Sequence, residues 1–285
     1  MTPARCLRPR RGARRALAAL VLGVALPLAL PAGVPGVLPA AHADHAYEHE
    51  RGPGPVHAGN TYGWWWGGGL RWREEFEVGA LDPERWEVTG DGVVQHQHGM
   101  LTLNTTTSGS VSAQLVGGAR RYGRWEIRMR SKRFSRGEHN FSVVSELVPA
   151  GRQAQHCGAR DIALESYRIG RRVARLRARN LPDLEFRAPV RDLDLADAWH
   201  TWAVEVTPER ISWFVDAHVV RTEERPEALS GVRLVPRFTM LAVPGETMNP
   251  SRMQLDWLRH WSLEAPNTLS VEAPETTLAT HDGAC

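Results

Sequence analysis

The chain has 285 residues, 42% of them hydrophobic and 24% charged, with a formal net charge of +3. That is long enough to bury a sizeable core, in one large β domain or two small ones. Its three cysteines form no Cys/His cluster at zinc spacing, which excludes the common structural zinc modules.

Residues 1–43 read as a secretory signal peptide. Arg5, Arg8, Arg10, Arg11, Arg14 and Arg15 make a basic start, and Ala16 to Leu30 is an apolar stretch too short and too rich in small residues for a membrane span. Ala41-His42-Ala43 fits a small-x-small cleavage site, and Cys6 precedes the apolar run, where no lipid-anchored cysteine belongs. The leader holds six arginines and no acid, so its removal leaves 29 of the 35 basic residues against 32 acidic ones, a net charge of −3. The basic surplus belongs to the leader, and with it goes the main argument for a nucleic-acid partner. The expectation is a secreted protein, free of the membrane after cleavage. Export permits a disulfide, for which Cys157 and Cys285 are the candidates.

Residues 44–69 carry His45, His49 and His57 among Gly and Pro and read as a flexible linker. It contains Trp64-Trp65-Trp66, suited either to packing on a domain edge or to stacking on sugar rings. From Leu70 to Leu263 the chain is a series of short alternating stretches separated by turn signals, for example Arg124–Arg130, Val173–Arg177, Trp202–Val206 and Ile211–Asp216. No long helical period and no internal repeat interrupts them. The pattern predicts an all-β sandwich of many strands. Residues 264–285 read as a loosely held tail.

Within that series, Asp161-Ile162-Ala163-Leu164-Glu165 is the stretch with most chemical content. Alternate residues of a strand share a face. Regular alternation sets Asp161, Ala163 and Glu165 on one side and Ile162 and Leu164 on the other. Two carboxylates on one face with an apolar underside suit a retaining glycosidase, in which one attacks the sugar and the other protonates the leaving oxygen.

The order of the strands resembles glycoside hydrolase family 16. The resemblance rests on Phe76 with Leu81-Asp82-Pro83-Glu84-Arg85-Trp86, on Tyr122–Met129, on Trp199–Pro208 with Ile211–Asp216, and on Leu255-Asp256-Trp257-Leu258-Arg259. The spacing is most similar to the bacterial β-1,3-1,4-glucanases. The resemblance implies a concanavalin A-like two-sheet antiparallel jelly roll over residues 70–263, a glycan cleft on its concave sheet, and retaining hydrolysis of β-glucan-type polysaccharide. The motif implied is Glu-x-Asp-x-Glu, holding nucleophile, helper and acid/base. Here Asp161 takes the nucleophile position, Ala163 the helper and Glu165 the acid/base; a second register puts Ala159 and Asp161 in the first two places. In either, one carboxylate is missing.

Further site residues follow from the resemblance and the alternation together. Glu126 and Arg128 stand where sugar contacts are implied, with Arg124 and Arg130 on the same strand face. Glu146 stands where a stacking tyrosine is implied, and Thr239 and Leu241 in place of asparagine and tryptophan. Arg175, Arg177 and Arg179 alternate with Ala174, Leu176 and Ala178, which directs the arginines to the cleft and suggests an anionic chain. Asp256 begins the last strand, where the family implies a structural calcium; no other cofactor is expected. The leading expectation is a weak, secreted, monomeric glycoside hydrolase acting on extracellular polysaccharide. The alternatives are an inactive relative that binds glycan or wall material, and a structural or protein-binding sandwich.

Overall fold

The structure, a computed structural model, describes residues 70–76, 79–137, 139–151, 160–263 and 273–281. The expected leader and linker, the tryptophan cluster and both candidate disulfide cysteines lie outside the described residues. The chain runs through β1 (Leu70–Glu74), β2 (Trp86–Gly90), β3 (Val93–His96), β4 (Leu101–Asn104) and β5 (Val111–Leu115). It continues through β6 (Gly123–Arg133), β7 (Ser142–Pro149), β8 (Ile162–Arg168), β9 (Val173–Asn180) and β10 (Leu184–Arg191). Then come β11 (His200–Val206), β12 (Ile211–Val215), β13 (His218–Glu223), a 3-10 turn at Pro226–Ala228, β14 (Leu234–Leu241), β15 (Ser251–Trp261) and β16 (Thr277–Thr280).

These strands form two sheets. The first has the order β13-β12-β11-β6-β15-β4-β3, with β1 also on β15; the second has the order β16-β10-β9-β8-β7-β14-β5-β2. The pairings at the centre of both are antiparallel, so the predicted all-β, two-sheet antiparallel jelly-roll sandwich is the fold. One boundary differs: part of the stretch read as a tail is strand. Thr277–Thr280 pairs along Leu184–Arg187 of β10, and the Thr276 hydroxyl bonds both Glu223 and Arg225. Four residues carry too little periodicity to be seen as a strand, and the waiting edge of β10 supplies the partner.

The core lies between the sheets and is built by period-2 alternation. Trp125, Ile127 and Met129 of β6 point inward, as do Trp202 and Val204 of β11, Ala174, Leu176 and Ala178 of β9, and Phe238 and Met240 of β14, all buried. Burying each larger side chain contributes about 1.5–3 kcal/mol. The Trp213 indole crosses the core to donate to the Ala163 carbonyl at 2.9 Å, tying the sheets together at the middle of β8.

At that point β8 is not regular. On the β7 side, Glu146 opposes Ala163 and Ser145 opposes Glu165. On the β9 side, Arg177 opposes Ala163 and Arg175 opposes Ser166. Leu164 and Glu165 therefore share one rung of the ladder, a β-bulge, and both turn inward. Ile162 and Leu164 are in the core, as alternation predicts. Glu165, expected beside Asp161, is not on the outer face: it is fully buried, opposite Ser145 of β7.

Burial, helped by the nearby Glu146 charge, pushes the Glu165 carboxyl well above the usual carboxyl range. Its folded pKa is thus raised above the unfolded value, so its contribution to stability is complete at acid pH and is lost as pH rises through the folded value. Glu165→Gln is expected to leave the Tm close to wild type near pH 4. At pH 8 it should stabilise by at least about 1 kcal/mol, or about 2–4 °C for a domain of this size. A Tm difference that does not change with pH contradicts the buried, protonated state.

Candidate functional site

The outer face of the second sheet holds a polar groove of about 740 Å³. Strands β2, β5, β14, β7, β8 and β9 each bring every second side chain to it. Ser110, Ser112 and Gln114 come from β5 and the residue before it, Ser142 and Glu146 from β7, Arg237, Thr239 and Leu241 from β14, and Arg177 and Arg179 from β9. Asp161 and Ser166 come from β8 and its approach, Glu87 and Thr89 from β2. No aromatic side chain lines it among the described residues. The groove thus offers many hydroxyl partners and no flat stacking surface.

A charge network occupies its floor. Arg177 Nη2 donates to Glu146 Oε2 at 2.8 Å and to Asp161 Oδ2 at 2.9 Å. Arg237 donates to Glu146 Oε1 from Nε at 3.0 Å and from Nη2 at 2.7 Å. Arg179 reaches Asp161 at 3.7 Å and Glu185 at 2.8 Å. Ala163 makes this possible: it lies between Glu146 and Arg177 in register, and its methyl group leaves room for their side chains to meet.

The two groove carboxyls differ in proton affinity. Burial and the Asp161 charge raise Glu146 above its ordinary value, against the pull of Arg177 and Arg237. Asp161 meets the same burial, but Arg177 and Arg179 outweigh it and hold the group below its ordinary value. The ionised form of Asp161 is therefore favoured, and guanidinium groups hold its charge.

Of the expected site residues, the groove brings together Asp161, Glu146 and Arg177, and Arg175 stands exposed on the same face, opposite Ser166. Ser166, unforeseen, is the next groove-facing residue of β8 after Ala163. The signal for it was in the sequence: the apolar residues run Ile162, Leu164, then Tyr167, Ile169, a change of phase that marks a bulge. Glu126 and Arg128, with Arg124 and Arg130, are not in the groove. They are on β6, which lies in the other sheet. Alternation assigned their side of the strand correctly, since Trp125, Ile127 and Met129 are in the core, but alternation cannot say which sheet a strand joins.

There Arg124 bonds Glu126 at 2.6 Å, and Trp261 Nε1 donates to the other Glu126 oxygen at 3.0 Å. Arg128 bonds Asp256 at 2.6 Å and stacks 4.5 Å from the Trp199 ring. The expected calcium does not fit at the Asp256 carboxylate, because the Arg128 guanidinium already sits on it. Burial lowers the Arg128 pKa, with Asp256 opposing the shift, so the pair is interdependent. Arg128→Met is expected to destabilise by about 3–5 kcal/mol, because it leaves a buried carboxylate without this cation. Adding Asp256→Asn should recover part of the loss. Calcium and EDTA should each leave the wild-type Tm unchanged.

The fold is that of glycoside hydrolase family 16. The chain is similar to the catalytic domain of an endo-1,3-β-glucanase (laminarinase) from Thermotoga petrophila, with a TM-score of 0.56 and 15% identity over 68% of this chain and 97% of that one. It is similar to the laminarinase from Rhodothermus marinus, with a TM-score of 0.55 and 18% identity over 68% and 97%. It also resembles a non-specific endo-β-1,3(4)-glucanase of family 16, with a TM-score of 0.55 and 13% identity over 68% and 90%. No protein-family model and no curated protein sequence matches the chain.

Proposed function

We propose that the chain is a secreted polysaccharide-binding protein of the glycoside hydrolase family 16 type, with hydrolysis reduced or lost. The observation that carries this reading is the turn of Glu165 into the core, with Ser166 in its place at an open polar groove. A retaining hydrolase needs an attacking carboxylate and a carboxylic acid across the glycosidic oxygen. A serine hydroxyl has no proton of suitable acidity to give, and Asp161 is held by arginines. The groove still has the volume and hydroxyl-rich lining that suit a sugar chain. The basic, apolar and small-residue pattern of residues 1–43 supports export, and a glycan outside the cell is the ligand this implies.

A second reading has one observation in its favour: Glu146 is raised and Asp161 lowered, the division of labour between an acid and a nucleophile. In it Glu146 protonates the leaving group, and slow hydrolysis persists.

Purified protein and a panel of β-glucans separate the two. Binding without release of reducing ends is expected, and Glu165→Gln should change neither. The triple change Asp161→Glu, Ala163→Asp, Ser166→Glu rebuilds a nucleophile, a helper and an acid on the groove face and is expected to raise hydrolysis at least about 100-fold over background, the lower end of the gain a positioned acid provides. If wild type hydrolyses and Glu146→Gln abolishes it, the second reading holds. If wild type neither binds nor cleaves any glycan, the groove is not a carbohydrate site.

A further inference from the structure

Beyond Ser142 and Ser166 the groove face changes character. In register, Ser142 opposes Arg168 and Ser166 opposes Arg175. On the next strand Pro189 opposes Arg175, and Arg191 follows two residues on, opposite Val173. Opposed residues have their Cβ atoms about 4.5–5.5 Å apart, so these arginines begin directly where the hydroxyl lining ends. The turn between β8 and β9 adds Arg171 and Arg172, and all five arginines are exposed.

They differ from the groove-floor arginines in one respect. Arg177, Arg179 and Arg237 each donate to a carboxylate at 2.7–2.9 Å. None of Arg168, Arg171, Arg172, Arg175 and Arg191 makes a side-chain hydrogen bond or ion pair among the described residues. Asp192 and Asp194 follow Arg191 in the chain and are exposed, yet neither pairs with any of the five. Like charges gathered without counter-charges repel one another, and a bound anion relieves that repulsion. The guanidinium fork fits carboxylate and sulfate oxygens two at a time.

We propose that this arginine end of the groove is a subsite for an acidic group, a carboxylate or sulfate, on a polysaccharide whose other sugars are neutral. The inference rests on the polysaccharide reading above and names the ligand class within it. The spacing of charge is what the two halves of the face require. In the middle Glu87, Glu146 and Asp161 are matched by Arg177, Arg179 and Arg237, so no cation there is left over for an acidic group and a neutral sugar is accepted. The uncompensated arginines stand at the end, where an acidic sugar is accepted. A chain alternating neutral and acidic units meets both.

Two polymer pairs test it: hyaluronan with its carboxyl-reduced derivative, and κ-carrageenan with its desulfated form. Binding is measured by calorimetry near physiological salt, where the screening length is about 8 Å. The expected result is at least about tenfold tighter binding of one acidic form than of its neutral partner, equivalent to about 1.4 kcal/mol, weakening as salt is added. The pair that discriminates identifies the acidic group. In the variant Arg168→Gln, Arg175→Gln, Arg191→Gln, that ratio should fall to about one; all three sites are exposed, and an unchanged Tm checks the fold. Equal affinity of wild type for both members of each pair overturns the proposal and leaves the groove reading standing. Absence of binding to all four polymers overturns the groove reading and the proposal together. A ratio that survives in the triple variant, or duplex DNA binding as tightly as the acidic glycan, also overturns it.

Discussion

Leu164 and Glu165 occupy one rung of β8, and the character of the outer face follows from that single irregularity. A strand with strict alternation carries every even residue one way and every odd residue the other. The bulge keeps Asp161 and Ala163 on the groove side, turns Leu164 and Glu165 inward together, and brings Ser166 out. It also coincides with the Ala163 carbonyl accepting from the Trp213 indole of the opposite sheet. The bulge is therefore held by packing from both sides: apolar side chains below it and a cross-core hydrogen bond at its edge.

A carboxyl in the core is the cost of this arrangement. Glu165 lies between the sheets opposite Ser145, where an ionised carboxylate is strongly disfavoured. Burial favours the protonated form instead, and the surrounding aromatic and aliphatic burial sustains the fold. Above it, the groove has reorganised around Arg177. One guanidinium joins Glu146 of β7 to Asp161 at the start of β8, and Arg237 and Arg179 complete the pairs. Of the expected site residues, Asp161 and Glu146 are partners in this charge network and Glu165 is removed from the groove face.

The opposite sheet uses the same residue types differently. Arg124 with Glu126 and Arg128 with Asp256 are buried pairs that lie against aromatic rings, with Arg124 over Phe214 at 3.8 Å and Arg128 over Trp199 at 4.5 Å. Arginine on a strand face is thus a groove-floor clamp in β9, a packing element in β6, and, among the described residues, an unpaired cation in Arg168 and Arg191. Residue identity and alternation are alike in all three; what differs is the neighbour across the ladder.

The strands themselves were legible. The inward set of β6 and the apolar set of β9 were read from alternation alone, because a half-buried strand must place apolar side chains at every second position to reach the core. The outward direction of Asp161 and of the β9 arginines came from the same rule. The sheet to which β6 belongs, the strand character of Thr277–Thr280 and the inward turn of Glu165 did not. Alternation is a property of one strand and reports only core side against outer side. Which sheet a strand joins, and where its ladder slips by one residue, depend on backbone partners more than a hundred residues away, as between β6 and β15, and on the packing across the core that those partners complete. The sequence determined an all-β sandwich and the faces of its strands; the tertiary structure decided which faces meet, and so put Ser166, and not Glu165, in the groove.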